Sequence, residues 1–239
     1  MIGCTCEACK SEDYRDKRLR CSLCVNDGSH SIVIDVGPDF RQQMLSHQVN
    51  RLDAVFLTHE HNDHVIGLDD LRPFIFRSRQ PMRIYGEGRV LQEVRDRFQY
   101  AFHHHAYPGA PSFDLIEIEP GQEISIGNIQ VEAIRTYHGR LPILSFRIGR
   151  LAYLTDVSEV QEESLKRLYD LEVLLVDCLR QEKHHSHFNL KDAGDLVAKI
   201  HPRRTYLIHI SHMMGPTETW EKQLPRNIYP SVDGQRFTL

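Results

Sequence analysis

Ala54-Val55-Phe56-Leu57-Thr58-His59-Glu60-His61-Asn62-Asp63-His64-Val65-Ile66-Gly67-Leu68 is the stretch on which both fold and chemistry turn. Its first four residues are apolar and, with the β-favouring Thr58, read as a buried strand. Three histidines and an aspartate then fall within six residues, and residues 65–68 begin another ordered element. Neutral imidazole and carboxylate suit zinc, manganese or iron. Four such groups this close together can wrap a pair of ions, two facing each. The plainer reading is a solvated turn that contains histidine. His103-His104-His105 and His184-His185 show what that looks like, with no acid at ordered spacing, and both read as surface or substrate-edge residues.

Outward from that stretch, apolar runs recur at 32–36, 129–134, 151–155, 173–176 and 206–210, and these too read as buried strands. Helix-like stretches lie between them, at 88–104, 162–169, 190–200 and 217–224. In the first of these, Val90, Leu91, Val94, Phe98 and Phe102 recur at roughly helical spacing. Strands and helices mix throughout, so a layered α/β protein is expected. The strand-like runs carry Asp35, His59, Asp156, Asp177 and His209 near their C-terminal ends. After a single strand, such an aspartate simply begins a turn. Five such ends with a histidine cluster among them favour convergence on one site.

The 239 residues suffice for one large domain with a substantial core. Hydrophobic residues make up 41% and charged residues 26%, as is ordinary for a globular protein. A net charge of -4 gives no overall basic field, so a large nucleic-acid footprint is not suggested, although a local basic groove stays open. No apolar run approaches membrane-spanning length and the chain does not begin with a basic-plus-apolar signal region, so a cytoplasmic location without membrane partners is expected. Histidine is frequent, with 15 copies, and three of the 6 cysteines crowd into Cys4-Thr5-Cys6-Glu7-Ala8-Cys9. Close-set cysteines in a reducing compartment more often bind metal than pair. Residues 4–20 are polar and read as a loop. Cys21 and Cys24 lie in a strand-like run, 19–25, whose alternation points the two thiols apart. Cys178 continues an apolar run. All three are expected to be packing residues.

The pattern His59-x-His61-x-Asp63-His64 resembles the H-x-H-x-D-H signature of the metallo-β-lactamase superfamily. Further motifs match in order. Asp35, in Ile32-Val33-Ile34-Asp35-Val36-Gly37, resembles the first, an acid standing behind the ligands. His138, in Thr136-Tyr137-His138-Gly139, resembles the third; Asp156, in Tyr153-Leu154-Thr155-Asp156, the fourth, an acid that bridges two metals; and His209 the last. The resemblance implies a four-layer αββα sandwich with the metals at one edge. It assigns His59, His61, His138 and Asp156 to one divalent metal, and Asp63, His64, Asp156 and His209 to a second, as manganese or zinc. Two ions about 3.5–4 Å apart can share a hydroxide and clamp the attacked group. Redox-active diiron members of the superfamily replace the second histidine by Glu. This chain keeps His61, which implies hydrolysis.

The C-x-C-x-x-C cluster ahead of that signature is similar to that of the PhnP-type cyclic phosphodiesterases. The resemblance implies a structural zinc held by Cys4, Cys6, Cys9 and His212, the last lying three residues after His209. Such a zinc would staple residues 1–20 to the rest of a single hydrolase domain over 1–239. The group also resembles ribonuclease Z in carrying an extra histidine, matched here by His187 in Ser186-His187-Phe188-Asn189-Leu190. His187 would stabilise charge on phosphate or protonate the leaving alkoxide. His185 competes for that assignment, and the bland reading is a helix-start histidine. Asp63 and His187 are thus the expected catalytic residues, and Tyr137 and Arg140, flanking His138, candidate substrate contacts. Members of the group begin with a strand and a Gly/Thr/Ser-rich turn before the cysteines. This chain starts Met1-Ile2-Gly3-Cys4 and lacks them, so either the start site is internal or the expected sandwich is without its first edge strand.

The expected function is a dinuclear metal-dependent phosphodiesterase acting on a small or cyclic phosphodiester. One alternative is an RNA-processing nuclease of the ribonuclease Z kind, whose Gly- and Lys-rich arm the sequence does not show. Another is a non-catalytic metal-binding domain, which lost ligands would signal. A lactamase or thioesterase fits the extra histidine and the cysteine cluster less well. A homodimer stays open.

Overall fold

Strand β2 (Ser31–Ile34) is buried at every position. An apolar run without alternation predicts this, because a strand covered on both faces has no solvent side to mark. It belongs to a computed structural model that describes residues 1–103, 107 and 109–239. The chain divides into two compact units, Arg20–Ala133 and the composite of Met1–Leu19 with Ile134–Leu239.

In the first unit, β1 (Leu23–Asn26), β2, β3 (Ala54–Phe56), β4 (Met82–Gly86) and β5 (Phe113–Glu117) form a five-stranded sheet in that order. β1 runs antiparallel to β2, and the other neighbours are parallel. Parallel neighbours need crossovers. Helices Phe40–Ser46, Arg72–Ser78 and Gly88–Arg97 lie in those connections and pack Phe40, Phe74, Val90 and Val94 against Val33, Val55, Leu57 and Ile84. Each such side chain contributes about 1.5–3 kcal/mol when removed from water. In-register pairing of Ile34 with Phe56 ends β2 and β3 level, so Asp35 and residues 57–59 emerge together. The helix expected over 88–104 stops at Arg97 and is followed by a short 3-10 turn, Gln99–Ala101. His103 is exposed, while His104 and His105 lie outside the described residues.

The second sheet has seven strands in the order β12-β11-β10-β9-β8-β7-β6. These are β6 (Glu123–Ile126), β7 (Ile129–His138), β8 (Leu141–Ile148), β9 (Leu151–Leu154), β10 (Val173–Asp177), β11 (Arg204–Ile208) and β12 (Ile228–Pro230). β9 to β12 are parallel, and Leu154, Val176 and Leu207 stand in register. Their C-terminal ends therefore finish at one rim of the second unit. The core there joins Leu154, Leu174, Val176 and Leu207 to Ala193, Leu196 and Ile200 of helix Leu190–Ile200. That helix begins where expected, in a capping box: the Asn189 side chain accepts from Asp192 N at 2.8 Å. Such a cap is worth about 1 kcal/mol.

The polar segment expected to be a loop contains a helix, Glu7–Lys10, and a 3-10 turn, Tyr14–Asp16. It is tied down by Arg15, which bonds Asp13 and Glu221, and by Asp16, which accepts from Thr217 N at 2.9 Å and Thr217 Oγ1 at 2.6 Å. The strand expected over 19–25 starts only at Leu23, so Cys21 lies outside it. Cys24 sits on the exposed positions of β1 and is not a packing residue. β1 is an edge strand with one face toward solvent, and alternation puts Leu23 and Val25, not Cys24, on the covered side. Cys178 is buried, as expected. Among the described residues, no helix is long and apolar enough to cross a membrane.

Candidate metal centres

In the first unit, the chain leaves β2 through Asp35, whose φ of 62° is left-handed and costly for a side-chain-bearing residue. The carboxylate is fully buried. Its Oδ1 accepts from Thr58 N at 2.9 Å, and its Oδ2 accepts from His64 Nδ1 at 2.7 Å. A carboxylate there keeps the His64 proton on Nδ1 and gives Nε2 the ligand role. Thr58 Oγ1 bonds Asp35 and lies 2.9 Å from His59 Nδ1, which orients that ring the same way. The rings of His61 and His64 lie 4.5 Å and 4.3 Å from that of His59. His59 and His64 are buried, Asp63 is half-buried and His61 is exposed. Two glycines let the loops stack this closely. A Cβ on Gly37 would stand 2.2 Å from Asp63 O, and one on Gly67 2.1 Å from Gly37 O.

In the second unit, Asp156 and His209 follow β9 and β11 with φ of 56° and 53°. Left-handed backbone at such positions persists only where the surroundings enforce it, at about 1–3 kcal/mol each. His209 Nε2 lies 3.3 Å from Asp156 Oδ1. Asp177, the last residue of β10, accepts from His187 Nδ1 at 2.7 Å and has its other oxygen 4.0 Å from His209 Nδ1. The His187 and His209 rings stack 5.0 Å apart. His138 donates from Nδ1 to Ser186 O at 2.6 Å and has its ring 4.5 Å from that of His187. Asp156, His187 and His209 each offer an atom within 4.8 Å of the others.

Of the two histidines that compete at 185 and 187, His187 holds the carboxylate, while His185 is exposed. His184 is half-buried, with Nδ1 3.3 Å from Ser186 N and its ring 5.1 Å from that of His187. Burial, and then the neighbouring His187, hold its pKa below the usual imidazole value. Tyr137 is half-buried, with its backbone paired to Glu159, and Arg140 is exposed. Sequence reasoning placed Asp177 among the converging strand ends without a chemical role, and gave none to Thr58 or Ser186. Only Asp177 carried a signal, its place at a strand end.

The cysteine cluster, also in the second unit, is built differently. Cys4 Sγ and Cys6 Sγ each lie 3.5 Å from His212 Nδ1, and the Met1 amine is 3.1 Å from Cys9 Sγ. Cys4, Cys6, Cys9 and His212 offer four atoms within 4.8 Å of one another, and none of the cysteines is in a disulfide. Three thiols and one imidazole are the donor set of a closed, four-coordinate zinc site.

A family model described as the beta-lactamase superfamily domain matches residues 30–210. The chain is 41% identical over 235 residues, 98% of its own length and 47% of the relative's, to an octanoyltransferase of Porphyromonas gingivalis. It is 30% identical over 126 residues, 50% of its length and 40% of the relative's, to ribonuclease Z of Staphylococcus epidermidis. It thus spans about half, or less, of the length of these curated relatives. Among solved structures it is similar to a diphosphatase from the PhnP family, with 32% identity, 98% of this chain and 89% of the other covered, and a TM-score of 0.91.

Proposed function

From the premise that this chain belongs to the beta-lactamase superfamily, on its PhnP- and ribonuclease Z-like branch, we propose that it hydrolyses small phosphodiesters or diphosphates. The two sheets and their helices are those of the metallo-β-lactamase fold. Members of the superfamily are mostly metal-dependent hydrolases, and this chain carries His/Asp clusters of the kind that hold divalent ions.

The ligand assignment follows the superfamily pattern: His59, His61, His138 and Asp156 for one ion, Asp63, His64, Asp156 and His209 for the other. The donor set fits, since His64 and His138 commit Nδ1 to a carboxylate and a carbonyl and so turn Nε2 to a ligand. When bound, such a pair supplies Lewis acidity toward a phosphoryl group and a nucleophile at neutral pH. Cys4, Cys6, Cys9 and His212 would hold a separate structural zinc. The observation that carries the phosphoester reading is the His187–Asp177 pair at 2.7 Å beside Asp156 and His209. The carboxylate anchors Nδ1–H and stabilises a second proton on Nε2, which can pass to a departing oxygen. An alkoxide leaving group needs that proton.

The octanoyl transfer for which the Porphyromonas relative is named we assign to the portion of that protein outside the match, which takes in 47% of it. The buried thiol in this chain, Cys178, is held in its protonated form by burial and makes a poor acyl carrier. The similarity to ribonuclease Z favours a second reading, cleavage of a larger RNA diester.

The test is hydrolysis of bis-p-nitrophenyl phosphate with added manganese, zinc or iron, with and without chelator. We expect chelator-sensitive turnover, and no turnover with any metal overturns the proposal. His187→Ala should lower the rate about 10²–10⁴-fold on a diester with an alkyl leaving group. The loss should be much smaller on the nitrophenyl ester, whose leaving group departs unprotonated. Equal losses on both would remove His187 from the acid role. Comparing a small diphosphate with a tRNA precursor separates the two readings.

A further inference from the structure

Glu60 and Asn62 separate the histidines and aspartate of the 59–64 loop and are not themselves ligands in the superfamily pattern. Both are gripped by one helix, Gly88–Arg97. Arg97 Nη1 donates to the backbone carbonyl of Glu60 at 2.6 Å and to Asn62 Oδ1 at 3.0 Å. The other arm of the same guanidinium, Nη2, bonds Glu93 Oε2 at 3.0 Å, one turn back on the helix, which fixes its orientation. Arg89, one turn further on, pairs with the Glu60 carboxylate. The helix is seated by Val90, Leu91 and Val94, all in the core of the first unit.

This grip falls on the more exposed side of the loop. His59 and His64 are buried and are oriented by Thr58 and Asp35. His61 is exposed and Asp63 half-buried, and each adjoins a residue that Arg97 holds. We infer that Arg97 is a positioning residue that fixes the backbone displaying His61 and Asp63, and thereby sets how tightly divalent metal is retained. Only a planar guanidinium reaches a carbonyl and a side-chain amide while a third bond holds it square, so lysine is not its equivalent. The inference rests on the metal-dependent reading above.

The experiment loads the full chain with manganese or zinc and follows release of metal into a competing chelator. For Arg97→Ala we expect retention of the labile ions to fall about 10–100-fold, the range for groups that orient metal ligands. The one cysteine-held zinc should stay, as should circular dichroism and Tm. Arg97→Lys should fall between the two. Asn62→Ala removes one acceptor and leaves the arginine in place, and should weaken retention by a smaller factor. It keeps the test open should Arg97→Ala not fold. Arg95→Ala, on the same helix but stacked 5.2 Å over Phe102, is the control and should retain metal as the parent does. Unchanged retention in both Arg97→Ala and Asn62→Ala, or an equal loss in Arg95→Ala, overturns the inference. A parent chain that takes up no metal beyond one zinc overturns the functional reading instead.

Discussion

The thiols of Cys4, Cys6 and Cys9 are gathered by one short loop and a four-residue helix beside a single ring, that of His212, whose Nδ1 Cys4 and Cys6 reach. The strand-end histidines are organised the other way. His59, His64, His138 and His187 each have Nδ1 against a hydroxyl, a carboxylate or a carbonyl. Asp35, Asp156 and His209 hold left-handed backbone at the ends of buried strands. In the first case the hydrogen bonds that tie the segment down fall beyond the cysteines, at Arg15 and Asp16, so a metal would complete the structure around the thiols. In the second the scaffold supplies the order, and a metal would enter a frame that stands without one. The two regions should therefore respond in opposite ways when ligands or metal are removed.

The largest expected effect is on the scaffolded side. Asp156→Ala should abolish diester turnover, a loss of at least about a thousand-fold, since several kcal/mol of charge stabilisation depend on the metals it would hold. Metal content should fall, while the Tm of the metal-free variant stays close to that of the metal-free parent, because ending the cost of a buried carboxylate offsets the strain of alanine in left-handed backbone. Kinetics on bis-p-nitrophenyl phosphate, metal counting and thermal unfolding on one preparation check this. Surviving activity would break the bridging assignment, and collapse of the fold would break the contrast between the regions.

Cys6→Ser tests the other side with a smaller effect on rate. It should remove about one zinc per chain. Proteolytic cutting around the cysteines, within residues 1–10, should rise while the part held by Arg15 and Asp16 stays protected, and kcat should change by less than about threefold. Unchanged zinc content would refute the four-ligand site, and a kcat loss as deep as that of Asp156→Ala would show that the two regions are not separate.

How far the sequence led follows from the same contrast. Cys4, Cys6, Cys9 and the 59–64 loop were legible because their donors are close in sequence. Asp35, Asp156 and His209 were legible because a polar residue ending an apolar run is conspicuous. The two-sheet α/β class followed from the buried runs. Strands β4, β5, β6, β8 and β12 were missed: Met82–Gly86 and Phe113–Glu117 are broken by charges, Leu141–Ile148 contains Pro142, and Glu123–Ile126 and Ile228–Pro230 are only four and three residues long. Thr58, Asp177 and Ser186 act through a hydrogen bond to a ring, and the choice between His185 and His187 depends on which of them Asp177 reaches. Arg97 contacts a loop 35 and 37 residues away, and helical periodicity says only that it lies off the apolar face. Such contacts are set by tertiary approach, which local pattern does not encode.

The smallest effect concerns what else holds the N-terminal segment. Burial would raise the pKa of Asp16, but hydrogen bonds from Ser11 and Thr217 and the charge of Arg18 outweigh it, and the carboxyl sits below the usual aspartate value. A group with a depressed folded pKa gives stability that is complete above the ordinary value, about 3.9, and is lost as pH falls through the folded one. Thiolates and imidazole compete with protons for zinc well above that range. On acidification, zinc should therefore leave first, while residues 11–19 stay docked through Asp16 and Thr217 until lower pH. Zinc release and cleavage by an acid-active protease, followed against pH, should give two transitions in the parent chain. In Asp16→Asn the second should move up toward the first. A single transition in the parent would mean that the metal alone anchors the segment, and the cysteine region would then depend on its ion even more than the contrast supposes.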